Sequence, residues 1–364
     1  MKKTNTLILL LLCFMMLFTM LTGCKEEEGP SKEDLRKELF ALEKTDVAGS
    51  SADPETWVYK FTDSGITMRE VTIDSGKGGD PVYISQLSDL HFNYCNDDDI
   101  VSGSEALIST YFNRKWLADG ASVPIAENCL KLADAADQIM LTGDVLDYLS
   151  LGAMELMQKH IWDKYPDALA CLGNHEATRV VEGTVPDETT LESRMQILQD
   201  FWPHDIYYTS KVIKDKVMVI QLENGANSTF WECQIEPFKA DLQVAREKGY
   251  TVLLFYHIPL TTYNPADEAV KPITGEDVTF NFYKKHHSPF GYEHEDAASR
   301  EMYDIIVNNA DVIKGAFCGH AHYDMNTKII AKNPDGSPAE IPQYVMAATG
   351  SSYKKGHILW ITVK

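Results

Sequence analysis

A chain of 364 residues, 44% of them hydrophobic, is long enough for a large buried core and a soft prior of about two domains. Its formal net charge of −21 repels polyphosphate duplexes, which argues against DNA or RNA as a main partner. Seven cysteines with no close repeated spacing exclude a small disulfide-rich scaffold and a zinc ribbon.

The chain opens with Met1-Lys2-Lys3, a positive segment, followed by an apolar run from Leu7 to Met20. That run is too short to span about 30 Å of hydrocarbon, which takes about 20 helical residues. It ends in Leu21-Thr22-Gly23-Cys24, which resembles the lipobox of bacterial lipoproteins. The resemblance implies cleavage before Cys24, lipidation of its sulfur, and an extracytoplasmic protein anchored to a bacterial membrane. An ordinary secretory peptide that happens to end in cysteine is the alternative. On this reading residues 1–23 are the signal, 24–56 a tether with a short polar helix over Lys32–Lys44, and 57–364 the globular domain. Of the cysteines outside the leader, Cys171 and Cys318 lie in apolar runs and read as buried small hydrophobes. One disulfide elsewhere stays open.

The globular part starts with paired strands, Trp57–Phe61 and Ile66–Ile73, around an Asp63-Ser64-Gly65 turn. Val82–Leu87 is a buried strand ending at Ser88-Asp89-Leu90-His91. A polar insertion over about 93–120 precedes a helix over Pro124–Ala136. The strand Gln138–Leu141 ends at Gly143-Asp144. A helix over Gly152–Tyr165 leads to the strand Ala168–Leu172, ending at Gly173-Asn174-His175-Glu176. After a helix at Thr190–Phe201, Ile206–Thr209 and Val217–Leu222 read as sequential antiparallel strands. The helix Ile235–Lys248 feeds the strand Thr251–Phe255, which ends at Tyr256-His257. A second insertion, about 261–297, is rich in aromatic and histidine residues from Tyr263 to His294. These side chains either ring a substrate or pack among themselves. The helix Ala298–Asn308 and the strand Val312–Phe317 then deliver Gly319-His320-Ala321-His322. The tail, Thr327–Val363, alternates like antiparallel strands closing a sheet, with a hairpin turn at Asn333-Pro334-Asp335-Gly336. Strands alternating with helices predict an α/β core with buried strands and a mixed, two-sheet arrangement.

Five apolar strands each end in a metal-capable side chain or pair. Open α/β sheets bind ligands at the carboxyl ends of their strands, so these ends converge on one crevice. Asp89 and His91 stand two apart, which in an extended segment points both the same way, and His320 and His322 repeat the spacing. Asp144, Asn174 and His257 arrive singly. Taken alone, each motif is weak, since Gly-Asp is usually a turn and a histidine pair is often a loop. Together, mixed imidazole and oxygen ligands suit manganese, iron or zinc in preference to calcium.

The order Asp-x-His, Gly-Asp-x-x-Asp, Gly-Asn-His-Glu, His, Gly-His-x-His resembles the calcineurin-like metallophosphoesterases, and spans Asp89 to His322. The resemblance implies an α/β fold, a four-layer αββα sandwich with two mixed sheets. It implies two divalent metal ions, the first held by Asp89, His91, Asp144 and His322, the second by Asp144, Asn174, His257 and His320. The implied activity is hydrolysis of phosphate mono- or diesters by a hydroxide bridging the two metals, on a phosphorylated small molecule or protein. His175 would protonate the leaving group, and Asp147 resembles the aspartate that orients such a histidine. For Asp147 a helix N-cap is the alternative. Glu176 reads as structural or as a support behind the metal ligands, and Arg179 as a candidate phosphate contact.

Departures from pattern narrow the branch. His91 stands where purple acid phosphatases carry glycine. Tyr148 stands where phosphoprotein phosphatases carry the arginine after Asp147's counterpart. Only a short tail follows His322, where the extended nucleotidases carry a further domain. The competing readings are a metal-dependent nuclease, disfavoured by the acidic charge, and a lipoprotein that binds phosphoryl ligands without turnover.

Overall fold

A computed structural model describes residues 31–48, 56–118, 122–177, 190–260, 296–350 and 356–364. Cys24, Arg179 and the aromatic insertion up to residue 295 lie outside them. The chain divides into two units, Met1–Ala41 and Leu42–Lys364. In the first, helix α1 (Lys32–Ala41) is the expected short polar helix, ending three residues before the predicted Lys44. The amide of Asp34 donates to Ser31 Oγ at 3.2 Å, so Ser31 caps the first turn, where Glu33 and Asp34 face the positive end of the helix dipole.

The second unit is built on two sheets. The first has seven strands in the order β1-β2-β3-β13-β4-β5-β6. Their ranges are β1 (Lys44–Ala48), β2 (Thr56–Phe61), β3 (Thr67–Ile73), β4 (Val82–Leu87), β5 (Gln138–Thr142), β6 (Leu169–Cys171) and β13 (His357–Val363). The second has six in the order β11-β12-β10-β9-β8-β7. These are β7 (Tyr208–Ile213), β8 (Val217–Leu222), β9 (Thr251–Phe255), β10 (Ile313–Cys318), β11 (Met325–Lys332) and β12 (Pro338–Val345). Parallel pairing runs through β4, β5 and β6 in one sheet and through β8, β9, β10 and β12 in the other. Antiparallel β7 and β11 flank the second sheet, so both are mixed.

The sheets face each other across one apolar layer. Val82, Ile84, Met140 and Leu359 meet Val219, Leu253, Phe255 and Phe317 there. The rings of Phe255 and Phe317 stack at 5.1 Å, and Phe317 stacks on Tyr344 at 5.2 Å. Helices α6 (Ile235–Lys248) and α7 (Ala297–Val307) cover the outer face of the second sheet, setting Phe238, Leu242, Met302 and Ile306 on Ile220, Val252 and Leu254. Helix α4 (Ser122–Ala133) lies against β4 and β13 on the outside of the first sheet. This is the expected four-layer αββα sandwich. Strands buried on both faces explain why β5, β8 and β9 are near-continuous apolar runs and not alternating ones.

Four local expectations need correction. Residues 93–120, read as a polar excursion, carry two helices, α2 (Asp97–Ser102) and α3 (Glu105–Ala118). Asn96 and Asp99 form a reciprocal cap that opens α2, so the acidic run Asp97-Asp98-Asp99 is a helix start and not a loop. Residues 44–48, assigned to a tether, pair with β2 as an edge strand. Helix α5 (Leu151–Met157) passes into a π turn over Gln158–Trp162 where a single helix to Tyr165 is predicted. The tail does not close one sheet: β11 and β12 form the predicted hairpin, while β13 crosses to the first sheet, parallel to β3 and antiparallel to β4. All five cysteines after Cys24 are free, with Cys171 and Cys318 buried as expected.

Candidate metal centre

Every predicted ligand sits in the loop that follows a parallel strand. Asp89 and His91 follow β4, Asp144 follows β5, Asn174 and His175 follow β6, His257 follows β9, and His320 and His322 follow β10. The first three loops come from one sheet and the last two from the other, so the centre lies where the two sheets' carboxyl ends meet. Two donor sets form there: Asp89, His91, Asp144 and His322, and Asp144, His257 and His320, with each set's donor atoms within 4.8 Å of one another. Asn174 joins the second through Oδ1, 3.2 Å from His257 Nε2. Asp144 belongs to both.

The loops reach this centre differently from the sequence expectation. Asp89, His91, Asp144, His320 and His322 all have positive φ, between 50° and 69°. The paired ligands therefore converge through curled, left-handed backbone and not through an extended segment. Each such residue costs about 1–3 kcal/mol unless its surroundings impose the conformation. Here the β4 and β5 loops are zipped together: Asp89, His91 and Phe92 donate their amides to the carbonyls of Gly143, Asp144 and Val145 at 3.0, 2.9 and 2.7 Å. The amide of His320 donates to Asp89 Oδ2 at 3.1 Å, tying the β10 loop to the same knot.

Two motif glycines make this approach feasible. Gly143 has φ +82°, and a Cβ there would lie 2.5 Å from His257 Nδ1. At Gly319 a Cβ would fall on Ser88 Oγ and 2.5 Å from Asp89 Oδ2.

Donor directions fit cations. His91 Nδ1 faces Asp147 Oδ1 at 3.1 Å, and His257 Nδ1 faces the Thr142 carbonyl at 2.7 Å. Those acceptors place the ring proton on Nδ1 and leave Nε2 of each ring as a lone pair aimed at the centre. There, His91 Nε2 and His322 Nε2 stand 3.1 Å apart, with Asp89 Oδ1 3.1 Å from His322 Nε2. On the other side His257 Nε2 stands 3.1 Å from His320 Nδ1 and 3.3 Å from Asp144 Oδ2. Two sets of nitrogen and carboxylate donors, each converging on one point and sharing one carboxylate, suit two divalent ions of the manganese, iron or zinc class.

The charges agree. Burial by itself would raise the Asp144 and Asp89 carboxyls, but the imidazoles of His257 and His322 hold Asp144 well below its usual range and Asp89 at about 2. Burial would likewise lower His257 and His175, yet Asp144 lifts them to about 10 and about 9. The proton on His257 thus stands where a bound cation would compete for the same lone pair, while His175, outside both donor sets, keeps its own.

Around the donors lies a supporting shell that sequence reasoning found only in part. Glu176, read as structural, accepts the amides of Asp144, Leu146 and Gly173 at 3.0, 2.9 and 2.7 Å, locking the β5 and β6 loops together. Burial, reinforced by Asp144, raises its carboxyl to about 7. Asn224 accepts the amides of His257 and Ile258 at 3.1 and 3.0 Å and fixes the β9 loop. Asp147 is not a helix cap, because Ser150 caps α5. Its carboxylate faces His91 and lies 3.4 Å from His175 Nδ1, which also faces the Asp147 carbonyl at 2.7 Å. Arg114 grips that carboxylate from α3, a contact with no signature in the sequence, since its partner lies 33 residues on.

The profile of the calcineurin-like phosphoesterase family matches residues 83–324, which contain every one of these ligands. No curated protein matches the chain. Among solved structures it is similar to a dimetal phosphatase from Danio rerio, at 13% identity over 77% of this chain and 91% of that one, with a TM-score of 0.41. It is also similar to a putative 5′-nucleotidase from Staphylococcus aureus, at 12% identity, 75% and 56% coverage and a TM-score of 0.33. A third is the calcineurin-like phosphoesterase YfkN from Bacillus subtilis, at 14% identity, 74% and 81% coverage and a TM-score of 0.34. At such scores the family profile alone carries the assignment.

Proposed function

The chain belongs to the calcineurin-like phosphoesterase family and is a hydrolase of phosphate esters, and we propose that it works with two divalent ions, on mono- or diesters, while tethered outside the cytoplasm. The observation that supports this reading is the sharing of Asp144 between two converging donor sets. Asp89, His91, Asp144 and His322 would hold one ion, and Asp144, Asn174, His257 and His320 the other. Such ions, when bound, would lower the pKa of a coordinated water and offset charge on phosphoryl oxygens.

The chain's own residues supply the rest. His175 keeps Nδ1 on the Asp147 carbonyl and carries Nε2 to 4.0 Å from Asp144 Oδ2, at the rim of the donor sets. A proton held on Nε2 there can pass to the departing oxygen, a contribution of about 10²–10⁴ in rate for a general acid. Asp147 holds the ring, and its own carboxyl lies well below the usual range because His175, His91 and Arg114 outweigh its burial. It therefore stays an acceptor throughout turnover.

Purified chain loaded with manganese is expected to hydrolyse p-nitrophenyl phosphate or its bis ester, and to stop when a chelator is added. Stoichiometric metal with no turnover of either ester would leave only a binding role and sink the hydrolytic reading. The tether rests on Leu21-Thr22-Gly23-Cys24. No helix among the described residues is long and apolar enough to cross a membrane. Cys24→Ser is expected to move the chain from the membrane to the soluble fraction in the host. Retention of that variant in the membrane counts against the lipid anchor.

A further inference from the structure

Asp147 is fully buried, and the four lone-pair positions of its carboxylate are spoken for. Oδ1 accepts from Arg114 Nη2 at 2.7 Å and from His91 Nδ1 at 3.1 Å. Oδ2 accepts from Arg114 Nε at 3.0 Å and from Asn93 Nδ2 at 2.9 Å. Two of the four therefore come from one guanidinium. A planar fork on a carboxylate fixes the plane of the carboxylate as well as its charge. That plane decides which imidazole Oδ1 serves: it lies 3.1 Å from His91 Nδ1 and 3.4 Å from His175 Nδ1. The rings of His91 and His175 sit edge to face, 4.7 Å between centroids, so a small rotation exchanges one partner for the other.

We infer that Arg114, brought in by α3, is a positioning residue that clamps Asp147 so that its carboxylate serves a cation-holding imidazole while its carbonyl keeps the leaving-group histidine. This rests on the phosphoesterase reading and deepens it. It gives the helical insertion a task at the centre, where the sequence shows only a polar stretch. Without the fork, a buried anion with two open lone pairs turns toward the nearest proton on either ring. His91 then loses its fixed direction toward the donor set, and the turned carboxylate, 3.4 Å away, draws His175 Nδ1 from the Asp147 carbonyl. A helix merely pinned to the body of the protein by an ion pair would show neither effect.

The test compares wild type, Arg114→Ala and Arg114→Lys in the full chain. Manganese affinity is measured by calorimetry, and kcat and KM for a nitrophenyl ester and for an alkyl ester of the class the wild type accepts. Arg114→Ala is expected to bind its first manganese about 10-fold more weakly, the lower end of what losing such a supporting contact costs. Its kcat should fall at least about 10-fold further on the alkyl ester, whose leaving group needs a proton, than on the nitrophenyl ester, with KM little changed. Millimolar guanidinium should restore part of that loss, since the Arg114 side chain is 20% exposed and leaves an opening. Arg114→Lys, which keeps the charge without the fork, should fall between the two. Wild-type manganese affinity in Arg114→Ala, or equal losses on both esters that guanidinium does not restore, overturns the inference. A wild type that binds manganese and turns over neither ester sinks the phosphoesterase reading instead, and the affinity of Arg114→Ala still decides the clamp.

Discussion

Asp144 and His175 stand close in space and differ in what they offer. Asp144 presents its carboxylate to both donor sets and also accepts the amide of His175 at 2.9 Å through Oδ1. Replacing it with asparagine leaves an oxygen of similar shape but removes the charge that both cations would share. Asp144→Asn should therefore retain its fold, lose both metals on dialysis, and lose turnover with them, as metal analysis beside the esterase assay will show. His175 contributes to neither donor pair that shares Asp144. His175→Ala should keep both metals and lose about 10²–10⁴ in kcat, the range for a removed general acid. Full turnover in that variant would remove His175 from the chemistry. If His175→Ala keeps both metals, Asn174, one residue earlier, remains the metal-facing member of the pair, since adjacent side chains usually point in different directions.

At the scale of elements, the loops matter more than the strands that carry them. Five ligands occupy left-handed backbone that no isolated peptide would hold, and reciprocal hydrogen bonds between the β4, β5, β6 and β10 loops impose it. Gly319 shows how little room this leaves. Gly319→Ala drives a methyl group into Ser88 Oγ and toward Asp89 Oδ2, so the β10 loop must retreat from the β4 loop. The expected outcome is a loss of about 1–3 kcal/mol, typical of overpacking, together with weaker metal binding. Denaturant unfolding of the metal-free chain reads the first, and calorimetry the second. If binding were untouched, the close approach would be incidental to the ligand geometry.

For the second unit as a whole, the central fact is that two sheets must be held face to face at the end where their loops meet. One device is apolar, the stacked Phe255, Phe317 and Tyr344 between the layers. Another is a buried polar knot on Asp324, two residues past His322. Its carboxylate accepts from Tyr59 Oη at 2.8 Å and from the Ala347 amide at 3.1 Å, and lies 3.1 Å from His357 Nε2 and 3.4 Å from Arg69 Nη1. Tyr59, Arg69 and His357 belong to β2, β3 and β13 of the first sheet, and Arg69 also donates to the Val345 carbonyl of the second at 3.2 Å. All three lie outside residues 83–324, so strands flanking the family's span brace the His320–His322 loop from below. Removing one partner of a buried ion pair typically costs about 3–5 kcal/mol. Arg69→Met should destabilise the chain by that order in urea unfolding, and a loss below about 1 kcal/mol would show that the knot contributes little.

The seven candidate donors, His175 beside them and the order of the five strand ends could be picked out in the sequence, because each donor follows an apolar run bounded by turn residues. Glycines before Asp144, Asn174 and His320 marked the turns. The acidic start of α2 was misread because three aspartates look the same in a loop as at a helix N-terminus. Nothing in the linear pattern of β13 could say that it enters the first sheet, since strand periodicity records burial but not partner. Arg114, Asn224 and Arg69 escaped for a related reason: each acts on a group 30 or more residues away, and the contact exists only once the loops are folded. Sequence determined which side chains are available to hold cations, because that depends on residue type and on where strands end. The tertiary structure alone decided how those side chains are aimed, because aim depends on left-handed backbone, shared hydrogen bonds and buried charge that distant segments impose together.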